Sequence, residues 1–332
     1  MKMHAGVARE SFRYPVVARQ KRSLDSVRTA NLQWARKFGL IPSQQALVKI
    51  EAIQIEQMAA AVYPEASKQV LALCTDLLLW FFISDDQYDE RALGADPMRM
   101  EQITNDFMQV LRKGISISET PSPLSRALMD LRSRVHSQVP PTWYARFVAD
   151  MELYFQGCLT ESKDRASGHT PEFEEYRTIR RASVGTYPCF DLIELSLGIF
   201  LPEPLEDTPL LTLLRDVSTD IVAWVNDVVS YPKESAHSDP HNLVSVLITE
   251  CGISLADSVK KTVELHNEQM VQFERLASEF LSNKPPAWAA RYIEALRSWM
   301  RGVFDWSFQS GRYSNDYVRL SLQDSEDLVG PG

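Results

Sequence analysis

"LLLWFFISDDQYDE", residues 77–90, runs seven apolar side chains, Leu77 to Ile83, straight into Asp85, Asp86, Asp89 and Glu90. The apolar part reads as a buried helix. Charged groups are almost never fully buried unless they are paired or bind a metal. Two readings compete: a helix that leaves the core and reaches water, or a cation site at the mouth of an apolar cavity. In a helix Asp85 and Asp89 lie four apart on one face, with Asp86 beside them. Three carboxylates on one turn repel one another and favour a cation. Taken alone, an acidic run more often marks a solvated face.

A second stretch shifts the balance. "IVAWVNDVVSYPKE", residues 221–234, sets Asn226, Ser230 and Glu234 at i, i+4 and i+8. That spacing lays amide, hydroxyl and carboxylate oxygens along one stripe of a helix. All three are hard oxygen ligands, and hard ions such as Mg2+ are held by one or two carboxylates plus phosphate oxygens. A plain helix C-terminus is the bland alternative, and Pro232 and Lys233 fit a helix ending there. Two helices that both run from apolar residues into metal-competent oxygens outline a pocket with an apolar floor and a polar rim. Cations suited to phosphate oxygens are Arg180 and Arg181, Lys233, and the pair Arg312-Tyr313. For Arg181 a surface role is the default.

The remaining sequence is helical in pattern, with segments expected near 44–63, 66–88, 97–113, 122–137, 141–162, 171–199, 207–231, 241–250, 253–282 and 285–310. Gly185 and Pro188 interrupt the segment 171–199, so a break is expected near 184–188. "ELYFQG", residues 152–157, resembles a protease-tag scar but sits in a helical pattern and reads as native. Only 13 of 332 residues are glycine, well under the usual ~7%, which favours helices over turn-rich β architecture. The domain expectation is a flexible N-terminal arm over 1–20, one all-α domain over 21–318, and a polar C-terminal tail over 319–332.

A net charge of −9 with no basic stripe argues against nucleic acid. The longest apolar run is far short of the roughly 18 residues a membrane span needs, so no membrane partner is expected. Four widely spaced cysteines without a CxxC pair suit a reducing, cytoplasmic setting. His237 and His241 flank Pro240 in a polar loop and read as surface residues. Oligomeric state is not readable.

These residues resemble the class I terpene cyclases of bacterial and fungal type. Asp85-Asp86-Gln87-Tyr88-Asp89 is similar to the family's DDxxD motif, and Asn226 to Glu234 to its NDxxSxxxE motif. Arg180 stands 46 residues before Asn226, at the position of the family's diphosphate-sensing arginine, and Arg312-Tyr313 resembles its C-terminal RY pair. The resemblance implies a single helical bundle around a deep hydrophobic cavity, the class I terpenoid synthase fold. It implies three Mg2+ ions, with Mn2+ as a substitute, held by Asp85, Asp86, Asp89, Asn226, Ser230 and Glu234. It implies diphosphate contacts from Arg180, Lys233, Arg312 and Tyr313, and linker and effector roles for Ser183 and Val184, where the family often has Asp and Gly. The implied reaction is ionisation and cyclisation of a linear isoprenoid diphosphate, with farnesyl diphosphate expected and geranylgeranyl diphosphate the alternative. A chain-elongating prenyltransferase is disfavoured because the second motif is not aspartate-rich. A non-catalytic diphosphate-binding module is disfavoured because every ligand position is filled. Phe81, one turn below Asp85, is a candidate for stabilising a carbocation through its ring face. Phe82 and Trp80 are expected in core packing.

Overall fold

The computed structural model describes residues 9–15, 23–89, 92–201, 208–236, 239–282, 284–314, 316, 317, 319, 328 and 329. Thirteen α-helices follow one another among these residues, and no strand is present. They are α1 (Asp25–Lys37), α2 (Gln44–Ile53), α3 (Ile55–Val62), α4 (Lys68–Asp89), α5 (Pro97–Lys113), α6 (Pro123–His136) and α7 (Pro141–Ser167). Then come α8 (Phe173–Ser183), α9 (Thr186–Leu197), α10 (Pro209–Ala236), α11 (Leu243–Cys251), α12 (Leu255–Ser282) and α13 (Ala289–Ser307), with a closing 3-10 turn at Gly311–Tyr313. No helix among the described residues is long and apolar enough to cross a membrane.

Local sequence sets many of the starts. Asp96 and Ser122 accept hydrogen bonds from Arg99 N and Ser125 N, each followed by a proline at the first helical position. Such caps satisfy backbone donors that a helix start leaves unpaired, and proline there loses nothing. The opening stretch explains itself in α4. Leu71, Leu73, Leu77, Leu79 and Trp80 are buried, as are Cys74 and Leu78 on intervening faces. A helix apolar all round belongs inside a protein, and α4 packs against α1, α3, α6 and α9.

The expected interruption of 171–199 is present. α8 ends at Ser183, Gly185 takes the left-handed conformation at φ 71°, and α9 begins at Thr186. Glycine reaches positive φ without a Cβ penalty. Pro188 falls in the first turn of α9, where no intrahelical N–H is required. It also deprives the Val184 carbonyl, four residues earlier, of the donor that a continuous helix would supply.

Four differences from the sequence reading have physical causes. α1 was not expected; it is polar on average, and only one stripe, Val27, Asn31, Trp34 and Ala35, is buried. The segment 44–63 is two helices, because Gln54 adopts φ 53°. α10 continues through Pro232 to Ala236 instead of ending there. The arm expected to be flexible is packed over its described part: Phe12 is buried, Tyr14 stacks on Phe304 at 4.4 Å, and Arg9 pairs with Asp305. In the polar tail, Leu328 is buried and its N–H donates to Gln87 Oε1 at 3.0 Å.

His266 of α12 anchors that N-terminal segment. Asn267 Nδ2 donates to Ser11 O, which turns Asn267 Oδ1 toward His266 Nδ1 at 3.1 Å, so Nδ1 carries the proton. Nε2 is then left to accept from the Tyr14 hydroxyl at 3.0 Å. Burial lowers the imidazole to about 4. The unfolded chain takes up this proton from about pH 6.5 downward. The stability contribution is therefore complete above that value and is lost as pH falls toward 4. Chemical denaturation at successive pH values should show a loss of about 3 kcal/mol across this window from His266 alone, and a His266→Gln variant should show a shallower dependence.

Candidate active site

A cavity inside the bundle has about 780 Å³ of empty space including its open mouth. Leu78 and Phe81 from α4, Val222 from α10, and Trp299, Val303 and Trp306 from α13 supply apolar wall. Asp85, Arg180, Asn226, Glu234 and Tyr313 also line it, so polar groups from four separate elements share one opening. The α8–α9 break contributes Ser183, Val184, Gly185 and Thr186 to the same lining. Phe81 therefore lies where the sequence reading set it, edge-on to Tyr154 at 5.2 Å between centroids. Trp80 is fully buried in the core as expected. Phe82 is a correction: it lines the cavity, against Trp306 at 5.2 Å and under the Arg312 guanidinium at 4.6 Å.

The helix α10 side of the mouth is organised by a residue the sequence reading passed over. Asp227 has no exposed surface. Its Oδ1 accepts from Arg180 Nη2 at 2.9 Å and Nε at 3.1 Å, and its Oδ2 accepts from Leu243 N at 2.7 Å and from the Tyr176 hydroxyl. Burial would lower the arginine, but Asp227 first, with Tyr176 and Glu234, raises it well above its ordinary value. Arg180 Nη2 also donates to Asn226 Oδ1 at 2.8 Å, and Asn226 Nδ2 donates to the Tyr313 hydroxyl at 2.8 Å. Glu234 accepts from Asn242 Nδ2 at 2.7 Å, and burial pushes its carboxyl up to about 7 against the pull of Arg180.

The α4 side is built on charge balance. Asp85 is the more open carboxylate, with its side chain 45% exposed, and it accepts from Arg312 Nη2 at 2.9 Å. Asp86, expected beside it as a metal ligand, is instead buried among cations. Arg312 lies 2.8 Å away, Lys233 3.2 Å and Lys49 3.8 Å, and the Tyr317 hydroxyl donates at 2.7 Å. Burial alone would raise its carboxyl, but Arg312, Lys233 and Lys49 hold it well below the carboxylate range. Lys233, expected on the diphosphate, is likewise buried and bonded to Asp86. Lys49 and Tyr317 carry no motif signal and could not be read from sequence. The side chain of Asp89 lies outside the described residues.

Whether these groups suit metal ions is testable on one atom. Ser230 is 2% exposed, and its Oγ has no hydrogen-bond partner among the described residues. A buried hydroxyl left unpaired next to Asn226 and Glu234 on one helical stripe fits a ligand position. Among the described residues no three His, Cys, Asp or Glu side chains converge on a point. The candidate donors are an amide, a hydroxyl and carboxylates, divided between α4 and α10. Arg181 stays outside the cavity, bonded to Asp220 and Asp216. His241 is a second correction: it is buried, 3.1 Å from Asp164, and burial lowers it to about 4.

Two oxygen-bearing helices at the mouth of an apolar cavity in an all-α bundle are the arrangement that the resemblance to class I terpene cyclases implies. Residues 76–272 match the family described as terpene synthase family 2, C-terminal metal binding. The chain is 32% identical to germacrene A synthase of Nostoc punctiforme over 93% of its own length and 95% of that protein. It is 33% identical to (+)-T-muurolol synthase of Roseiflexus castenholzii over 91% of its own length and 92% of that protein. The crystal structure of germacradien-4-ol synthase from Streptomyces citricolor superposes with a TM-score of 0.79 at 26% identity, covering 93% of this chain and all of that one. The chain belongs to terpene synthase family 2, and it is a microbial terpene cyclase.

Truncating one member of a buried charge pair leaves the other uncompensated, at about 3–5 kcal/mol. Asp227→Ala should therefore lose about that much in urea denaturation. Arg181→Ala should lose about 1 kcal/mol or less, since its pairs are partly solvated and Arg177 still holds Asp220.

Proposed function

We propose that the chain ionises farnesyl diphosphate and cyclises it to a sesquiterpene hydrocarbon or alcohol, releasing diphosphate. The carrying observation is a single cavity whose walls are apolar while Asp85, Arg180, Asn226, Glu234 and Tyr313 share its opening. On this reading Asp85 and the α10 stripe of Asn226, Ser230 and Glu234 hold Mg2+, three ions by the family resemblance, with Mn2+ as a substitute. Divalent cations bound there supply charge stabilisation for the leaving diphosphate oxygens.

The chain's own residues do the remaining work. Arg180 offers a planar fork to phosphate oxygens, and Arg312 and Tyr313 add a guanidinium and a hydroxyl from the closing turn. An arriving diphosphate competes with Asp85 and Asp86 for Arg312, and with Asp227 and Asn226 for Arg180. Lys233 stands behind Asp86 as a point charge. The allylic cation left behind lies against Phe81, whose ring face attracts it. The apolar walls exclude water and fold the chain until proton loss or water capture ends the reaction. Val184, beside the break, has a backbone carbonyl without its helical donor, which suits an effector facing that cation, with Ser183 as the linker. The free, widely spaced cysteines suit a cytoplasmic setting.

Purified protein with Mg2+ and each of the C10, C15 and C20 prenyl diphosphates, followed by gas chromatography–mass spectrometry, tests the reading directly. A cyclic C15 product that disappears in excess chelator is the expected result. Full turnover in chelator overturns it.

Phe81→Leu keeps most of the apolar volume and removes the ring quadrupole. A partly desolvated cation–π contact is worth about 2 kcal/mol, so a rate loss of some tens-fold is expected. Early-quenched, less cyclised products should rise in the same extract. Arg180→Lys, which keeps the charge but not the fork, should chiefly lower total yield.

A further inference from the structure

The residues that hold the α8–α9 break in place include one on α7 that no motif contains. Ser183, the last residue of α8, is buried, and its hydroxyl donates to Glu161 Oε1. Glu161 Oε2 accepts in turn from Arg165 Nη2 at 3.2 Å, one turn along α7. Arg165 Nε donates to Asp239 at 3.1 Å, and Asp239 N donates to the backbone carbonyl of Glu234 at 3.1 Å. A continuous polar chain therefore runs from the break to the end of the α10 ligand stripe. A recess beside the main cavity is lined by Glu161 together with Asp85, Arg180, Ser183 and Glu234.

A second observation shows that this contact is built into α7. Gly157 lies one turn before Glu161 on the same face. A Cβ at Gly157 would stand 2.6 Å from Ser183 N and 2.9 Å from Ala182 Cβ. Only glycine lets α7 come so close to the last turn of α8, and that approach brings Glu161 within reach of Ser183.

We propose that Glu161 is a positioning residue for ionisation: through Ser183 it fixes the Val184–Gly185 break relative to Arg180. The inference rests on the reading under Proposed function. Arg180 and Ser183 occupy one helical turn, so a hydroxyl held from α7 limits how far that turn moves when diphosphate takes Arg180. The carboxylate that α8 lacks at position 183 is thus supplied from the neighbouring helix.

Glu161→Gln keeps the side-chain volume but removes the charge and one of the two acceptors, so its single amide oxygen cannot serve Ser183 and Arg165 together. With farnesyl diphosphate and Mg2+, kcat should fall roughly ten- to hundred-fold while KM stays within about three-fold. The share of acyclic product should rise. Ser183→Ala removes the donor and with it the bond, should act in the same direction, and carries the test should Glu161→Gln fail to fold or keep its contact to Ser183. The double variant Glu161→Gln/Ser183→Asp exchanges donor and acceptor across the contact and should recover most of kcat, which a loss of packing would not allow. Calorimetric titration of wild type and both single variants with inorganic pyrophosphate in Mg2+ should give affinities within a few-fold of one another. Wild-type kcat and products in Ser183→Ala overturn the inference alone, as does a Glu161→Gln deficit that the exchange leaves untouched. A wild type that neither binds pyrophosphate nor converts a prenyl diphosphate overturns the functional reading and this inference together.

Discussion

Asp227 is the constraint on which the rest of the site depends. A carboxylate with no exposed surface is tolerated only when its charge and its lone pairs are answered. Here the answers come from two neighbouring helices: Arg180 and Tyr176 on α8, and the first backbone N–H of α11. Asn242, the cap of α11, also donates to the Asp227 carbonyl and to Glu234. Satisfying one buried charge therefore sets the rotation of α10. Asn226 and Glu234, on either side of Asp227, are left to line the cavity. The interior stays apolar, and the carboxylate demand is met just outside it.

Asp86 plays the matching part on α4. Lys49 of α2, Lys233 of α10 and Arg312 of the closing turn meet around it, with Tyr317 as a fourth partner. Of the two adjacent aspartates, one is shielded by three cations and the other stays open at the cavity mouth. The two carboxylates hence have different environments although the sequence makes them neighbours. Bringing three cations to one anion concentrates positive charge at the edge where a diphosphate would arrive, and Asp86 keeps that charge soluble in the fold until then.

Much of this was legible in the sequence. The all-apolar run of α4, the oxygen stripe of α10 and the break at Gly185 and Pro188 each follow from helix periodicity or backbone chemistry. Asp85, Phe81, Asn226 and Glu234 line one cavity, as their spacing implied. What escaped has a common cause: the partners are distant in sequence. Lys49 lies 37 positions before Asp86 and Glu161 lies 22 before Ser183, and neither carries a local pattern. Asp227 was hidden inside a motif whose neighbours drew the attention, and His241 was read as exposed because its loop is polar. Phe82 was assigned to the core because one-turn spacing cannot tell a wall from an interior.

The order in which the rim is synthesised matters for how the protein reaches its folded state. Trp299, Val303, Trp306 and Tyr313, all in the final tenth of the chain, complete the cavity lining. Phe12 and Tyr14, near the beginning, pack on Phe304. Until α13 leaves the ribosome, the apolar faces of α3, α4 and α9 have no lid, and Asp86 lacks its strongest counter-ion. A chain that stalls before that helix exposes a large greasy concavity, the kind of surface on which chaperones and aggregation compete. Enclosing a reactive cation in the finished enzyme thus entails a long interval in which the nascent chain is itself open and sticky.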